Sequence, residues 1–318
     1  MRAWPDQDPV TSAVVSVPAV ELVPFAADRG GATGLSTSFG TFGELLQGVL
    51  PEPDADFLVT LPIARWAMAR FRLRPGPGGV EVHPPHKRKA QRLAELMLDW
   101  AGVAGGGRLT LESTLPEGKG LASSSADLVA TARAVANALR VAVEPATVEW
   151  FLRQIEPTDG VLYPGVVAFD HRAVRLRLRL GSLPTMTVVG VDEGGTVDTV
   201  EFNRIAKPFS AADRREYAAL LDRLAAAVPR ADLRQVGAVA TRSTELNQVL
   251  RPKRLFEPVT RISAGVGALG VVAAHSGTML GVLLDMSDPD YVSRLAATIR
   301  ACSALGGDVS VYRTLSFD

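Results

Sequence analysis

The chain has 318 residues, 47% hydrophobic and 21% charged, with a formal net charge of zero. That balance fits a folded protein with a sizeable core and gives no support to non-specific binding of nucleic acid or membrane surfaces. Cys302 is the single cysteine, which excludes an intrachain disulfide and a thiolate metal cluster.

No run of 18 apolar residues is present, so no membrane-spanning helix is expected. Asp6 and Asp8 precede the Val-rich N-terminal segment, the wrong charge for a secretory signal, so a cytoplasmic location is expected. Residues 1–35 carry Pro5, Pro9, Pro18, Pro24 and Gly30-Gly31 without lasting periodicity and read as an N-terminal extension. Folding proper is expected to begin near Ser36.

Residues 38–48 are glycine-spaced and hold one acid, Glu44. Residues 57–61 and 66–73 alternate as strands, a turn falls at 76–79, and 80–82 is a further short strand. His83-Pro-Pro-His86 fits a surface turn better than a metal site. Residues 87–100 form an amphipathic helix with Leu93, Leu96, Met97 and Trp100 on one side.

The alternation of 109–114 predicts a strand, and Leu128, Val129, Ala132, Val135, Ala136 and Leu139 mark one face of a helix. Between them lies Pro116-Glu-Gly118-Lys119-Gly120-Leu121-Ala122-Ser123-Ser124-Ser125. A strand, a Gly- and Ser-rich loop and then a helix point backbone amides and the positive end of a helix dipole at one spot, a seat for phosphate. Helix capping alone needs one serine, and this loop has three in a row. A P-loop is excluded, because Gly118-Lys119 is followed by Gly120 and Ser113 stands where the leading glycine belongs. Gly265-Val-Gly267-Ala-Leu-Gly270 has the letters of a dinucleotide fingerprint but precedes a strand, so it reads as a helix end and turn.

Pro145 opens the next helix, and Glu156-Pro-Thr-Asp159-Gly is a turn with two carboxylates. Strands follow at 166–169, 174–180 and 185–191, with a domain boundary expected after Gly195. Beyond it come helices at 211–228, 233–250 and 257–263. Strands at 269–275 and 279–285, a helix at 289–304 and a strand at 308–315 complete an α+β pattern. Ile299 and Leu305 near Cys302 make it a core residue. His171 and His275 sit at strand ends, where a structural, hydrogen-bonded role is the ordinary reading.

Transfer of a phosphoryl group needs a phosphate cradle, an oxygen-ligated metal and an acceptor for the hydroxyl proton. The loop at 118–125 supplies the cradle, and one of its hydroxyls can ligate Mg²⁺ beside a carboxylate. Glu156 and Asp159 are three apart and can converge on metal and substrate hydroxyl, or simply be a solvated acidic turn. Lys119 divides evenly between a phosphate contact and an exposed loop lysine. Arg65, Arg242 and Arg261 are each possible partners for a substrate carboxylate.

Pro116-x-x-x-Gly120-Leu121-Ala122-Ser123-Ser124 resembles the central phosphate motif of the GHMP kinases, with Ala122 in place of the usual glycine. Gly43-Glu44-Leu-Leu-Gln47-Gly48, Gly118–Asp127, Glu156-Pro-Thr-Asp159 and Ala274-His275-Ser276-Gly277-Thr278 resemble, in that order, the L-threonine kinase branch serving the cobalamin side chain. The resemblance spans roughly 36–318. It implies a GHMP kinase fold: a ribosomal protein S5 domain 2-like nucleotide-binding domain over 36–195 and a ferredoxin-like C-terminal domain over 196–318.

It further implies that ATP lies on Pro116, Gly118, Lys119, Gly120, Leu121, Ala122, Ser123, Ser124 and Ser125. Ser124 and Glu156 would be the Mg²⁺ ligands, and Asp159 would be the catalytic residue at the acceptor hydroxyl. Glu44, His275, Ser276, Gly277 and Thr278 would face the substrate. A small-molecule alcohol, L-threonine or a related hydroxy amino acid, is the expected acceptor, with no nucleic acid or membrane partner. The alternatives are another alcohol of a biosynthetic pathway, or metabolite binding on this fold without catalysis. The first motif lacks the lysine that assists the catalytic Asp in mevalonate kinase.

Overall fold

Three strands buried on both faces let the chain build two cores on the faces of one sheet. The computed structural model describes residues 31–52, 56–195, 207–274 and 277–317. The expected extension up to residue 30, and the expected loop residues His275 and Ser276, lie outside them. The expected boundary after Gly195 abuts a stretch that also lies outside.

The elements in order are β1 (Thr33–Val49), β2 (Asp56–Pro75), β3 (Val80–His83), α1 (Arg88–Trp100), β4 (Gly105–Ser113), α2 (Ser123–Leu139), α3 (Pro145–Arg153), β5 (Val166–Asp170), β6 (Arg175–Gly181) and β7 (Met186–Asp192). They continue with α4 (Ala211–Ala227), α5 (Leu233–Leu246), α6 (Phe256–Gly265), β8 (Gly270–Ala273), β9 (Met279–Asp285), α7 (Tyr291–Ser303) and β10 (Asp308–Arg313). The sheet runs β10-β7-β9-β8-β1-β2-β4-β3, with β5 and β6 branching from β2. Only the β3–β4 pairing is parallel among the described strands. No described helix is long and apolar enough to cross a membrane.

β7 precedes residue 195 in the chain but pairs with β9 and β10, strands that follow it. Along β7, β8 and β9 alternate residues go to opposite faces, as strand geometry requires. Val189, Val191, Val271, Ala273, Leu280, Val282 and Leu284 join Leu255, Val259 and Cys302 in one core under α6 and α7. Their neighbours Met186, Val188, Val272, Met279 and Leu283 belong to the larger core, with α2 and the long hairpin.

The glycine-spaced segment 38–48 is extended, because β1 is continuous through it. The two expected strands 57–61 and 66–73 are one strand, β2, whose register against β1 shifts where Phe39 faces Trp66 and Gly40 faces Ile63. A second shift falls between Thr41 and Glu44. Gly43 there has φ of 53°, and a Cβ on it would lie 2.2 Å from the Ala273 carbonyl oxygen. That close approach lets Glu44 pair with Ala273 and so joins β1 to β8.

α2 is buried on almost every side, from Ser125 to Leu139, which explains its Ala-rich sequence between sheet and neighbouring helices. The glycines at 265–270 do form a helix end and turn: α6 stops at Gly265, Gly267 has φ of 66°, and β8 starts at Gly270.

Candidate active site

The N-terminus of α2 is left open by its own sequence. Ala122 precedes it in the left-handed region, φ 57°, and has no side chain able to cap. Such a conformation costs a non-glycine residue about 1–2 kcal/mol. The first internal bond is the Ala126 amide to the Ala122 carbonyl, 2.9 Å. The amides of Ser123, Ser124 and Ser125 therefore have no intrahelical acceptor and point out of the helix end.

A cavity of about 440 Å³ opens in front of this turn. It is lined by Gly118, Gly120 and Leu121 to Ser125, by Glu156 to Asp159, by Glu44, and by the start of α1. The Gly-Ser loop, the acidic turn and the first motif's acid, far apart in sequence, thus share one wall.

Adjacent serines hold the two carboxylates. Ser124 Oγ donates to Glu156 Oε1, whose other oxygen is 2.5 Å from Lys89 Nζ. Ser125 Oγ donates to Asp159 Oδ2 at 3.2 Å and accepts from the Asp159 amide at 3.0 Å. Withdrawal from bulk water, with the negative Glu44 beside it, raises the Asp159 carboxyl to about 7, while the Ser125 hydroxyl works in the opposite direction. Glu156 adds to the rise.

Several expected residues point elsewhere. Pro116 is exposed and does not line the cavity. Lys119 sends its amine to Asp192 Oδ2 at 2.6 Å and to the Gly195 carbonyl at 2.8 Å. Thr278 donates to the same Asp192 at 2.5 Å. Gly277 lies against the Gly-Ser loop so tightly that a Cβ would fall 2.0 Å from the Lys119 carbonyl oxygen. Lys253 is buried, donates to the Gly277 carbonyl at 2.7 Å, and burial draws its amine down to about 8. Of the three arginines considered for a carboxylate, Arg242 is engaged with Glu216 and Glu245, Arg65 stacks over Tyr312, and none lines the cavity.

Residues at the cavity that sequence reasoning did not assign to the site include Gln47, His86, Lys87, Lys89, Asp127, Thr158 and His171. Lys87 Nζ bridges Asp127 Oδ2 at 2.5 Å and Glu117 Oε1 at 2.6 Å, tying the start of α1 to the first turn of α2. The basic run at 86–89 was the one available signal, since it opens a helix where capping would favour acids. His171 was expected to be hydrogen-bonded; instead both ring nitrogens are buried without a partner.

An all-oxygen pair, the Ser124 hydroxyl and one carboxylate of Glu156, fits Mg²⁺, which takes few protein ligands and completes its shell with phosphate and water. Among the described residues no group of three or more His, Cys, Asp or Glu forms a self-sufficient metal site. The donors therefore suit a cation that arrives with phosphates better than a resident ion.

Residues 88–161 match the model of the GHMP kinases N terminal domain. The chain is 28% identical over 256 residues to the L-threonine kinase of Citrobacter freundii, covering 79% of this chain and 86% of that protein. It is 29% identical over 241 residues to the 4-diphosphocytidyl-2-C-methyl-D-erythritol kinase of Thermus thermophilus, covering 73% and 80%. The fold superposes on the homoserine kinase of Cytophaga hutchinsonii with a TM-score of 0.69 at 17% identity, covering 92% and 96%. The serine loop, the helix end and the acidic turn thus meet on one cavity in the fold of the GHMP kinases, and residues 88–161 of the chain match that family's N-terminal domain.

Proposed function

We propose that the protein is an ATP- and Mg²⁺-dependent kinase that phosphorylates an alcohol, with L-threonine or a related hydroxy amino acid as acceptor. The observation that carries this reading is the pairing of Ser124 with Glu156 and of Ser125 with Asp159 at one helix N-terminus. It brings an anion seat, a metal-competent oxygen pair and a second carboxylate onto one wall. Binding alone would need no second acid of raised proton affinity at that spot.

In this reading the amides of Ser123 to Ser125 hold the nucleotide's phosphates. Bound Mg²⁺ would offset the charge of the phosphate oxygens, held by Ser124 and Glu156. Lys89 neutralises the outer oxygen of Glu156 and sits where it can turn towards phosphate. Asp159 accepts the proton of the acceptor hydroxyl or aligns it, since positioning and electrostatics supply most of the catalysis in phosphoryl transfer. The L-threonine kinase relative supports the acceptor class, and the Thermus relative keeps other alcohols in the test.

An ADP-release screen across hydroxy amino acids, amino alcohols and sugar-derived alcohols, followed by ³¹P NMR of the product, tests this. A new phosphomonoester resonance with a hydroxy amino acid is the expected result. Saturable ATP binding with no ADP release from any alcohol would replace the kinase by a metabolite-binding protein.

A further inference from the structure

Five buried polar atoms of cavity-lining residues have no hydrogen-bond partner: Asp127 Oδ1, whose other oxygen takes the Lys87 amine, and, on three further residues, Gln47 Oε1, Thr158 Oγ1 and both ring nitrogens of His171. The three residues are 5%, 2% and 4% exposed, and all three line the same cavity as Glu44 and Asp159. The other end of the cavity is open, with Ser124, Arg88 and His86 exposed at the rim. An unpaired buried polar group costs about 1–3 kcal/mol, and folded proteins keep few of them. Three such residues meeting in one wall, next to the carboxylate that faces the acceptor, is a cost that a ligand would remove.

Their backbones, by contrast, are tied into the fold. The Gln47 amide donates to Ser243 Oγ at 3.1 Å and its carbonyl accepts from Asn247 Nδ2 at 2.7 Å. The Thr158 amide donates to the His171 carbonyl at 3.2 Å. The side chains are thus held on a rigid frame with their polar ends unused.

We propose that Gln47, Thr158 and His171, together with Glu44, form the subsite that reads the non-reacting end of the acceptor, and that this end carries both an ammonium and a carboxylate. The inference rests on the kinase reading above and specifies the acceptor within it. Gln47 Oε1 can only accept a hydrogen bond, and with the Glu44 carboxylate it suits an ammonium. The Thr158 hydroxyl and one imidazole N–H are donors suited to a carboxylate. Burial, with the nearby Lys207 cation, draws the His171 imidazole down to about 3, so it is neutral and carries one N–H and one lone pair. Lys207 and Arg172 are themselves engaged with Asp56, at 2.6 and 3.4 Å, and add positive potential behind the imidazole. Asp159 follows Thr158 directly in the chain, so a compact amino acid gripped there presents its side-chain hydroxyl to that carboxylate.

Thr158→Val and Gln47→Met keep the volume of each side chain and delete the unpaired atom. KM for L-threonine should rise about tenfold or more in each, as for loss of one buried hydrogen bond to a charged group, with KM for ATP within about twofold of wild type. Calorimetric binding of L-threonine beside a non-hydrolysable ATP analogue should weaken in parallel. The melting temperature of the ligand-free protein should hold or rise, because an unpaired polar atom is replaced by an apolar one; a structural role would lower it and leave KM alone. Wild type should also discriminate against 1-amino-2-propanol and 3-hydroxybutyrate, each lacking one of the two charged groups, and Thr158→Val should narrow the gap for the first. An acceptor KM unchanged in both variants, or wild-type preference for an alcohol without these groups, overturns the subsite while leaving the kinase intact. No ADP release from wild type with any alcohol overturns the kinase itself.

Discussion

Ser125 and Asp159 exchange two hydrogen bonds: the serine hydroxyl donates to the carboxylate at 3.2 Å and accepts from the aspartate's amide at 3.0 Å. One hydroxyl therefore fixes the position of the residue assigned to the acceptor and opposes the rise in its pKa that burial causes. Removing it in Ser125→Ala deletes the one hydrogen bond that lowers the Asp159 pKa. The acidic limb of the kcat/KM profile, expected near 7 in wild type, should move to higher pH, and a pH series of ADP release measures the shift.

Asp159 also links activity to stability in opposite directions. Its folded pKa, about 7, lies above the ordinary aspartate value of 3.8, so the folded chain binds more protons than the unfolded chain between those values. Stability from this group is therefore full below the lower value and falls as pH rises through the upper one. Asp159→Asn should lower kcat on the order of 100-fold or more. The same variant should melt higher than wild type at pH 8, by about 2–4 °C per kcal/mol regained, with little difference at pH 4. Calorimetry at the two pH values checks the sign.

Lys87 stands between two acids, and one of them, Asp127, has a side chain only 5% exposed. Lys87→Met should leave that carboxylate buried without its cation and destabilise the fold by about 3 kcal/mol or more, the usual cost of breaking a buried pair from one side. Adding Asp127→Leu should recover much of the loss. Denaturant titration of the single and double variants reads the coupling.

Gly277 packs its α-carbon against the Gly-Ser loop, 2.0 Å from the Lys119 carbonyl oxygen when a Cβ is added. Gly277→Ala must push the two loops apart. The expected result is a KM for ATP raised about tenfold, since a displacement near 1 Å at a positioned site costs that much or more. Fluorescent nucleotide binding gives the same answer independently of turnover.

Metal dependence should follow the outer pair of residues. Ser124→Ala and Glu156→Gln are each expected to raise the Mg²⁺ concentration for half-maximal activity. Lys89→Ala should lower it, because the lysine neutralises the same carboxylate that the cation would use. Magnesium titrations of the three variants test this ordering.

The pieces of the site were legible in the chain because each has a local cause. Gly118 to Ser125 needs special backbone angles and free amides, and two glycines followed by a run of small residues supply them. Glu156 and Asp159 fall in a turn whose spacing allows convergence, and β7 to β9 are near-continuous apolar runs because each has two apolar faces to cover. The segment 38–48 gave no such signal, because its strand is stabilised by β2 and β8 rather than by any pattern of its own. Nor did His171, which looked like any strand-end histidine until both its nitrogens were found buried and unpaired.

By itself the sequence determined which backbone could cradle a phosphate, since that capacity lies in a few consecutive residues. Only the tertiary structure decided that Ser124 and Ser125 each take one carboxylate from a turn more than thirty residues on. It likewise turned Lys119 away to Asp192 and brought Gln47, Thr158 and His171 into one wall. The physical reason is that directions of side chains follow from the packing of α2 against β1 and β2, and packing is a property of the whole core.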